Sequence, residues 1–300
     1  MAWPLLDPLL IDRAADRRAT VELGAADAVV ASAGHILVRG DRLAIIPASE
    51  RRAGSLAIFL GRHGHRDIVA IPAEDGPVPD DEVGDVRLVP LRSAIGVLGA
   101  SPDGGAELEL AETAVAMIEW HERQAFCGRC GSATEPHDGG WVRRCVAQAH
   151  EHYPRTDPAV IVAITDEEDR LLLAHVAYHS AGRYSHLAGY VEPGESLEQA
   201  AHREVAEEAS LRLEGLEYVG SQPWPLPASI MLAFRARAKA AELRVDGTEV
   251  TDAAWFTREG LVAALASGTV QLAAPGTIAR ALLHEWFGGD PAAVAGVTDA

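Results

Sequence analysis

Six glutamates crowd into residues 189 to 211, which read GYVEPGESLEQAAHREVAEEASL. Three of them, Glu204, Glu207 and Glu208, are spaced i, i+3 and i+4 and would share one face of a helix. Like charges at this spacing destabilise a helix by roughly 0.2–0.5 kcal/mol per pair. Either this face is simply solvated, or it holds divalent cations, because Mg²⁺ takes its ligands from carboxylates, waters and substrate phosphates.

Local signals place these carboxylates on a loop and a helix. Ser196 followed by Gln199 is the S-x-x-Q pattern of a capping box, which predicts a helix over about residues 197–209. Gly189 and Gly194 flank a tight loop before this helix. The first turn of a helix has free N–H groups, so a phosphate can be held near this one.

Composition limits the classes of function. The chain has 300 residues, a net charge of −18 and three cysteines, and its length favours about two domains. Its acidity argues against sequence-independent binding of nucleic acid, which needs Lys and Arg on the phosphates. There is no apolar run of about 18 residues for a membrane span, no secretion signal and no even set of disulfide cysteines. We therefore expect a cytoplasmic protein.

The elements around the carboxylates predict a mixed α/β (α+β) protein. Residues 1–122 read as short antiparallel strands and then a helix at ELELAETAVAMIEWHERQ, which makes an N-terminal, mostly-β domain. Residues 123–157 are rich in Gly, Cys and His and cannot form a core alone. In residues 158–288, AVIVAIT and RLLLAHV predict a hairpin, and helices are expected at EGLVAALASG and TIARALLHEWF. Residues 289–300 are expected to be a frayed tail.

The glutamate-rich stretch resembles the Nudix box, G-x5-E-x7-R-E-U-x-E-E-x-G-U, in which U is a bulky apolar residue. The matching positions are Gly189, Glu195, Arg203, Glu204, Val205, Glu207, Glu208 and Leu211. Ser210 stands where the box has glycine, at the end of the helix, where it touches no ligand. The chain is thus identified as a member of the Nudix hydrolases, which implies an α/β/α sandwich for the domain that carries the box.

In that family the box glutamates hold two or three divalent ions, which polarise a phosphoanhydride while water attacks one phosphorus. The resemblance implies these ligands for Mg²⁺ or Mn²⁺: Glu204, Glu207, Glu208 and the backbone carbonyl of Ala188. Glu207 and Glu208 are also the catalytic candidates, and which glutamate takes the proton from water stays open. Arg203 is expected to pair with Glu195 and so to orient the loop.

A second motif, SQPWPLPAS, follows the box at residues 221–229. It resembles the S-Q-P-W-P-F-P-x-S marker of the NADH pyrophosphatase branch of the family, with leucine in place of phenylalanine. Prolines make such a loop stiff, so it can hold a dinucleotide at little ordering cost; a merely packed Pro-rich loop is the alternative. The resemblance implies that the loop reaches across a homodimer. It also implies substrate contacts by Gln222, Pro223, Trp224, Pro225, Leu226, Pro227, Ala228 and Ser229.

Other positions of that branch are scattered along the chain. Glu249, in VDGTEVTDAAWF, occupies the place of a further metal-binding glutamate. Tyr190 is an aromatic that can stack on nicotinamide, while Tyr153, Ala279 and Arg92 match other substrate-contacting positions. An ordinary turn residue at Glu249 and a packed tyrosine at the end of its strand are the alternatives.

The cysteine segment resembles the zinc ribbon of the same branch, C-x2-C-x14-C-x2-C. Three positions match: Cys127, Cys130 and Cys145. The fourth is Gln148, a poor zinc ligand. Because zinc needs four donors at tetrahedral corners, His150 or His152 would have to complete a structural Cys₃His site. The alternative is a segment that has lost zinc and is held by packing.

The resemblance implies metal-dependent hydrolysis of NADH or NAD⁺ to AMP and nicotinamide mononucleotide, and removal of NAD caps from RNA 5′ ends. The acidic charge limits RNA recognition to the cap. Other hypotheses are a Nudix pyrophosphatase for ADP-ribose or another nucleoside phosphate, a non-catalytic Nudix-fold binding module, and a zinc-ribbon nucleic-acid binder. The sequence does not rank free NADH against capped RNA, name the preferred metal, or give the N-terminal domain a role beyond support.

Overall fold

A computed structural model describes residues 9–51, 56–76, 85–100, 104–239 and 242–297. The chain divides by contact into two units. The N-terminal unit holds the described residues of Pro8–Thr156 and of Trp224–Ala228. The C-terminal unit holds those of Asp157–Pro223 and Ser229–Ala300. The domain boundaries predicted above stay predictions. Residues 1–8 and most of the acidic, Pro-rich stretch PAEDGPVPDDEVGD at residues 72–85 lie outside the described residues.

The N-terminal unit contains two sheets and two helices. Its strands are β1 Asp27–Ser32, β2 His35–Arg39, β3 Arg42–Leu43, β4 Ile45–Ile46, β5 Ile58–His63, β6 Arg66–Pro72, β7 Val86–Pro90, β8 Thr134–His137, β9 Val142–Cys145 and β10 Glu151–His152. Its helices are α1 Leu91–Ala100 and α2 Gly104–Arg123, and short 3₁₀ turns lie at Ala15–Arg17, Leu23–Ala25, Ala48–Glu50, Ala73–Asp75 and Asp138–Gly140.

Strands β1 to β7 form one sheet, in the order β3-β2-β1-β6-β5, with β4 on β1 and β7 on β2. The prediction of only antiparallel strands is wrong for one pair, because β1 and β6 run parallel with Ala28 opposite Val69. Parallel pairing needs a long crossover between the two strands. Here β2 to β5 provide that crossover, and the alternation of each strand by itself does not reveal it.

The large sheet buries both of its faces. Along β1, Val29 and Ala31 point into one core cluster while Ala28 and Val30 point into another, as expected for a side-chain period of two. The predicted helix at ELELAETAVAMIEWHERQ is confirmed as part of α2. Its apolar face packs into the first cluster through Leu110, Ala114, Met117 and Ile118.

The cysteine-containing segment has a small sheet of its own, in the order β10-β9-β8, and is anchored on the large sheet of the same unit. The Trp141 indole N–H donates to the carbonyl of Phe59 at 2.6 Å, and His121 Nε2 donates to the carbonyl of Gly140 at 2.7 Å. A Cβ at Gly140, where φ is 88°, would lie 2.9 Å from a side-chain carbon of Ile58. The prediction that this segment cannot form a core alone agrees with these contacts.

The C-terminal unit is an α/β/α sandwich, as the resemblance implied. Its strands are β11 Asp157–Thr165, β12 Leu171–Val176, β13 Leu187–Tyr190, β14 Leu213–Trp224, β15 Ser229–Ala238 and β16 Val250–Phe256. Its helices are α3 Leu197–Ala209, α4 Arg258–Ala266, α5 Ile278–Phe287 and α6 Pro291–Ala295. The sheet order is β14-β15-β11-β12-β16, with β13 also on β11.

Strand β11 lies at the centre of this sheet, and its side chains alternate between two cores. Val160 and Val162 pack on the side of α3, whereas Ile161 and Ala163 pack with residues of α4 and α5. The predicted hairpin is confirmed by the antiparallel pairing of β11 with β12, and β15 runs parallel to β11 on its other side. Both predicted helices after β16 are present as α4 and α5.

The prediction of a frayed tail is wrong for most of residues 289–300. Asp290 caps α6 by accepting from the backbone N–H of Ala292 at 3.0 Å, and Ala292 is buried. Asp290 also pairs with the buried Arg280 of α5 at 3.0 Å. Tertiary contacts thus order a short segment whose composition alone favours disorder. No helix among the described residues is both long enough and apolar enough to cross a bilayer.

Candidate active site

Helix α3 begins and ends where the sequence predicted. The backbone N–H of Gln199 donates to the Ser196 hydroxyl at 3.2 Å, and the N–H of Ser196 donates to the Gln199 side chain at 2.8 Å, so the capping box is complete. At the other end Ser210 has φ 57° and ψ 26°, in the left-handed region. That conformation costs a non-glycine residue about 1 kcal/mol. The serine therefore keeps the chain path that glycine would give, with some strain.

Glycine is required at the strand that faces this helix. A Cβ built on Gly189 would overlap the carboxylate of Glu204. Gly189 lies on β13, one residue after Ala188, which pairs with Ile161 on the central strand. The Glu204 carboxylate therefore lies directly against the backbone of β13, and burial raises its pKa above the usual range.

One arginine ties the loop to the helix. Arg203 donates through Nε and Nη2 to the two oxygens of Glu195, at 2.7 and 2.9 Å, and also to the carbonyl of Tyr190 at 2.9 Å. Its Nη1 lies 2.9 Å from Glu204 and 3.0 Å from Glu207. The guanidinium and the backbone N–H of the loop lower the pKa of Glu195 to about 2. The predicted pair is thus present, and Arg203 bonds two further carboxylates as well.

Glu208 is the most unusual carboxylate of the box. It is 4% exposed, and its Oε2 has no hydrogen-bond partner among the described residues. Burial, together with the charges of Glu204, Glu249, Asp246 and Glu207, raises its pKa to about 8. A buried, unpaired carboxylate is costly unless a cation or a proton neutralises it.

Glu249 approaches this group from a turn far along the chain. Asp246 accepts hydrogen bonds from the backbone N–H groups of Thr248, Glu249 and Val250 at 3.2, 2.9 and 2.8 Å. The turn that carries Glu249 is also joined to α3, because the N–H of Asp246 donates to the carbonyl of Glu208 at 3.3 Å. Asp246 was missed by sequence reasoning, although an Asp-Gly pair is a turn signal.

These groups fit a hard divalent cation. The Nudix fold implies a divalent metal, and Mg²⁺ and Mn²⁺ prefer oxygen donors. The buried unpartnered oxygen of Glu208, beside the half-buried Glu204, is the observation that supports such a site. Glu207, whose side chain is 62% exposed, lies at the solvent side of the cluster.

Two predicted substrate-binding residues meet near the end of β13. Tyr190 is 53% exposed and its hydroxyl is 3.1 Å from the hydroxyl of Ser229, which is buried at the start of β15. An exposed ring held at its tip is suited to stacking on a flat ligand. The predicted alternative of a fully packed tyrosine does not agree with this exposure.

Gln222 and Ala279 take part in hydrogen bonds at the start of α5. Gln222 is completely buried; its Nε2 donates to the carbonyl of Gly276 at 2.9 Å, and its Oε1 accepts from the N–H of Ile278 at 2.7 Å. The carbonyl of Ala279 accepts from Nε2 of the buried His186 at 3.2 Å. These side chains hold the first turn of α5. No motif pointed to His186.

The remaining predicted substrate residues, apart from Pro223, belong to the N-terminal unit by contact. The Arg92 guanidinium lies 5.6 Å from the centre of the Trp224 ring, a cation–π distance. Pro223, which belongs to the C-terminal unit, is exposed, whereas Pro225 is buried and Leu226, Pro227 and Ala228 are half-buried. Tyr153 is 62% exposed and donates its hydroxyl to Glu151 at 2.6 Å.

The cysteine segment brings four soft donors together. The ligand atoms of Cys127, Cys130, Cys145 and His150 all lie within 4.8 Å of one another. His150 Nδ1 is 3.6 Å from the Cys127 sulfur, and the sulfurs of Cys130 and Cys145 are 3.5 Å apart. His152 is not in this cluster, and Gln148 is exposed. Three thiols and one imidazole match the donor set of a structural zinc site.

Comparisons with known proteins agree with both motifs. A model of the NUDIX domain matches residues 155–274, and a model of the NADH pyrophosphatase zinc ribbon domain matches residues 122–153. The chain is 36% identical, over 94% of its own length and 94% of the relative's, to a Mycobacterium bovis protein named NAD-capped RNA hydrolase NudC. It is 39% identical to a Deinococcus radiodurans protein of the same name, over 71% of this chain and 73% of that one. The chain therefore belongs to the Nudix hydrolases that carry an NADH pyrophosphatase zinc ribbon.

Proposed function

We propose that this chain hydrolyses the pyrophosphate of NAD(H) to AMP and nicotinamide mononucleotide and removes NAD caps from RNA 5′ ends. The observation that carries the proposal is the buried carboxylate of Glu208, whose Oε2 has no hydrogen-bond partner among the described residues, within a complete set of box glutamates. Relatives named NAD-capped RNA hydrolase that align over most of the chain support the choice of substrate.

Glu204, Glu207, Glu208, Glu249 and the carbonyl of Ala188 would hold Mg²⁺ or Mn²⁺. The metal, when bound, supplies charge stabilisation at the phosphates and lowers the pKa of the attacking water. Glu207 and Glu208 are the groups that position this water or take its proton. Arg203 and Glu195 keep the loop and the helix in register, so that the carboxylates stay aligned.

The dinucleotide would be bound by the predicted substrate residues described above. The ring of Tyr190 offers a face for nicotinamide, and Ser229 holds that ring by its hydroxyl. Trp224 with Arg92, the remainder of the loop from Pro223 to Ala228, Tyr153 and Ala279 are the other proposed contacts. Gln222 is proposed to act by holding the first turn of α5, because both ends of its amide are already bonded to backbone.

A product assay tests this function. Purified full-length chain is incubated with Mg²⁺ or Mn²⁺ and, separately, with NADH, NAD⁺, ADP-ribose and NAD-capped RNA, and the products are separated by chromatography. We expect nicotinamide mononucleotide from NAD⁺ and from capped RNA, and its reduced form from NADH. Turnover of ADP-ribose alone would move the chain to another Nudix substrate class, and no turnover of any substrate would favour a non-catalytic module.

We also propose a structural zinc ion held by Cys127, Cys130, Cys145 and His150, with no open position for water. A homodimer is proposed from the resemblance alone, and light scattering of the purified chain tests it. A reducing, cytoplasmic location is proposed because the three thiols are unpaired and gathered in one cluster.

A further inference from the structure

A cavity within the N-terminal unit is lined by more cationic than anionic side chains. Its volume is about 1040 Å³. Three arginines, Arg18, Arg51 and Arg143, line it, and the only carboxylate among its described lining residues is Asp138. The chain as a whole has a net charge of −18, so a local excess of cations is against the trend of the molecule.

Arg18 lies over an aromatic ring at this cavity. Its guanidinium carbon is 3.7 Å from the centre of the Trp141 ring, and its Nε is buried without a hydrogen-bond partner among the described residues. Burial lowers the pKa of Arg18, and the neighbouring charge of Arg13 lowers it further, whereas Asp138 opposes both. The one nearby carboxylate therefore does not offset the burial and repulsion of this cation.

Arg51 and Arg143 have backbone and neutral partners in place of carboxylates. Arg51 Nη1 donates to the carbonyls of Leu23 and Ala26 at 2.5 and 3.0 Å, and its Nε is buried and unpartnered within the described part of the chain. Arg143 donates from Nε to the hydroxyl of Thr134 at 2.7 Å. Burial lowers the pKa of both arginines.

A cavity in the C-terminal unit shows the usual arrangement. It has a volume of about 570 Å³ and is lined by Arg235 and Arg258 among others. Arg235 pairs with Glu217 at 2.6 Å, and Arg258 pairs with Asp169 at 2.8 Å. These two arginines are thus paired with carboxylates, unlike the three arginines that line the N-terminal cavity.

We infer that the N-terminal cavity binds the phosphate group of a mononucleotide. Arg18 and Arg51 are half-buried and form no ion pair with a described carboxylate, and a phosphate supplies both charge and acceptors that match the guanidinium fork. The volume is that of a small-molecule site, and Val21, Leu23 and Leu56 provide an apolar wall for a base. A long RNA would need an extended basic track, which the acidic chain does not favour.

Titration calorimetry tests the inference. The ligands are AMP, inorganic phosphate and an uncapped oligoribonucleotide without a terminal phosphate, and the protein carries Glu208→Gln with no divalent metal added. Turnover by the box is thereby removed, so a failure of the proposed function does not affect this readout. We expect AMP to bind. Arg18→Gln should weaken AMP binding at least about tenfold, because a hydrogen bond to a charged group typically contributes that much.

Two further variants keep the test decisive. Arg51→Lys retains the charge but loses the fork, and should weaken AMP binding by a smaller factor while the circular dichroism spectrum stays unchanged. Arg39→Gln removes an exposed arginine on β2 of the same unit and should leave AMP binding unchanged. Equal binding by the Arg18 variant and its parent, no binding of AMP at millimolar concentration, or binding of the oligoribonucleotide alone would each overturn the inference.

Discussion

The Nudix box and the N-terminal cavity carry opposite charges that their surroundings do not neutralise. In the box, Glu208 is buried among other carboxylates, and its Oε2 has no partner within the described residues. In the cavity, burial lowers the pKa of Arg51 and Arg143, which form no ion pair with a carboxylate of the described residues. Each region is therefore suited to a ligand of the opposite charge. We propose a divalent cation for the box and a phosphate for the cavity.

The two regions differ in how easily each can be recognised from the sequence. The box is one continuous segment, so its spacing alone reveals the chemistry. The cavity is built from residues of three separate stretches, and none of these forms a motif. Unneutralised charge in a folded structure is thus a sign of ligand binding that does not depend on a recognisable pattern.

The largest effect is expected from removing the buried charge of the box. Glu208→Gln should lower kcat/KM for NADH on the order of 10²–10⁴-fold, because it removes a group that either holds metal or handles the proton. Steady-state kinetics with saturating Mn²⁺ measures this loss, and circular dichroism checks that the fold is retained.

The matched control lies on the same helix. Glu198 is exposed in the first turn of α3 and occupies no position of the box, so Glu198→Gln should keep the parent activity. Comparable losses in both variants would point to a general effect of helix charge, and full activity in Glu208→Gln would remove the box from the active centre.

An effect of intermediate size, on zinc binding, is expected at the cysteine cluster, whose thiols and imidazole match the donors of a structural zinc site. His150→Ala should weaken zinc binding by more than the ~10–100-fold that loss of a ligand's supporting partner typically causes. His150→Cys should retain zinc, because a thiolate replaces the imidazole. Metal analysis after dialysis against a graded chelator gives the affinities.

His152→Ala provides the comparison, since His152 lies outside the cluster. We expect its zinc content to equal that of the parent. Loss of zinc in the His152 variant together with retention in His150→Ala would reverse the assignment of the fourth ligand.

The smallest effect is expected at a third buried ionisable group, the carboxyl group of Glu112 on α2. Burial and the charge of Glu109, only partly opposed by Arg13, raise the pKa of Glu112 to about 8. The folded state therefore holds a proton that the unfolded state releases above about pH 4.5, so stability falls as pH rises from there to about 8. Glu112→Gln should remove this fall and stabilise the protein by on the order of 1 kcal/mol near pH 8.

Urea denaturation at pH 5 and pH 8 measures the effect. Glu119→Gln, on the same helix, removes an ion pair with Arg123 and should not stabilise the protein at either pH. An unchanged pH dependence in Glu112→Gln would show that Arg13 neutralises the carboxylate after all.

Local patterns predicted much of the framework because they depend on neighbours in the chain. The capping box, the extent of α3 and the face shared by Glu204 and Glu208 follow from helix periodicity and from the side chain of Ser196. The alternating cores on either side of β11 follow from the period of two. The Nudix box itself needed no structure.

The sequence by itself thus determined the main helices, including the extent of α3, the hairpin of β11 and β12, the box and the donor types of the cysteine segment. Only the tertiary structure decided which groups converge: the carboxylate of Glu204 against Gly189, the turn of Asp246 beside Glu208, and His150 in place of Gln148 at the fourth donor position. It also decided the parallel pairing of β1 with β6 and the ordering of α6. The physical reason is that periodicity and capping act over a few residues, whereas burial and charge balance depend on packing between distant segments.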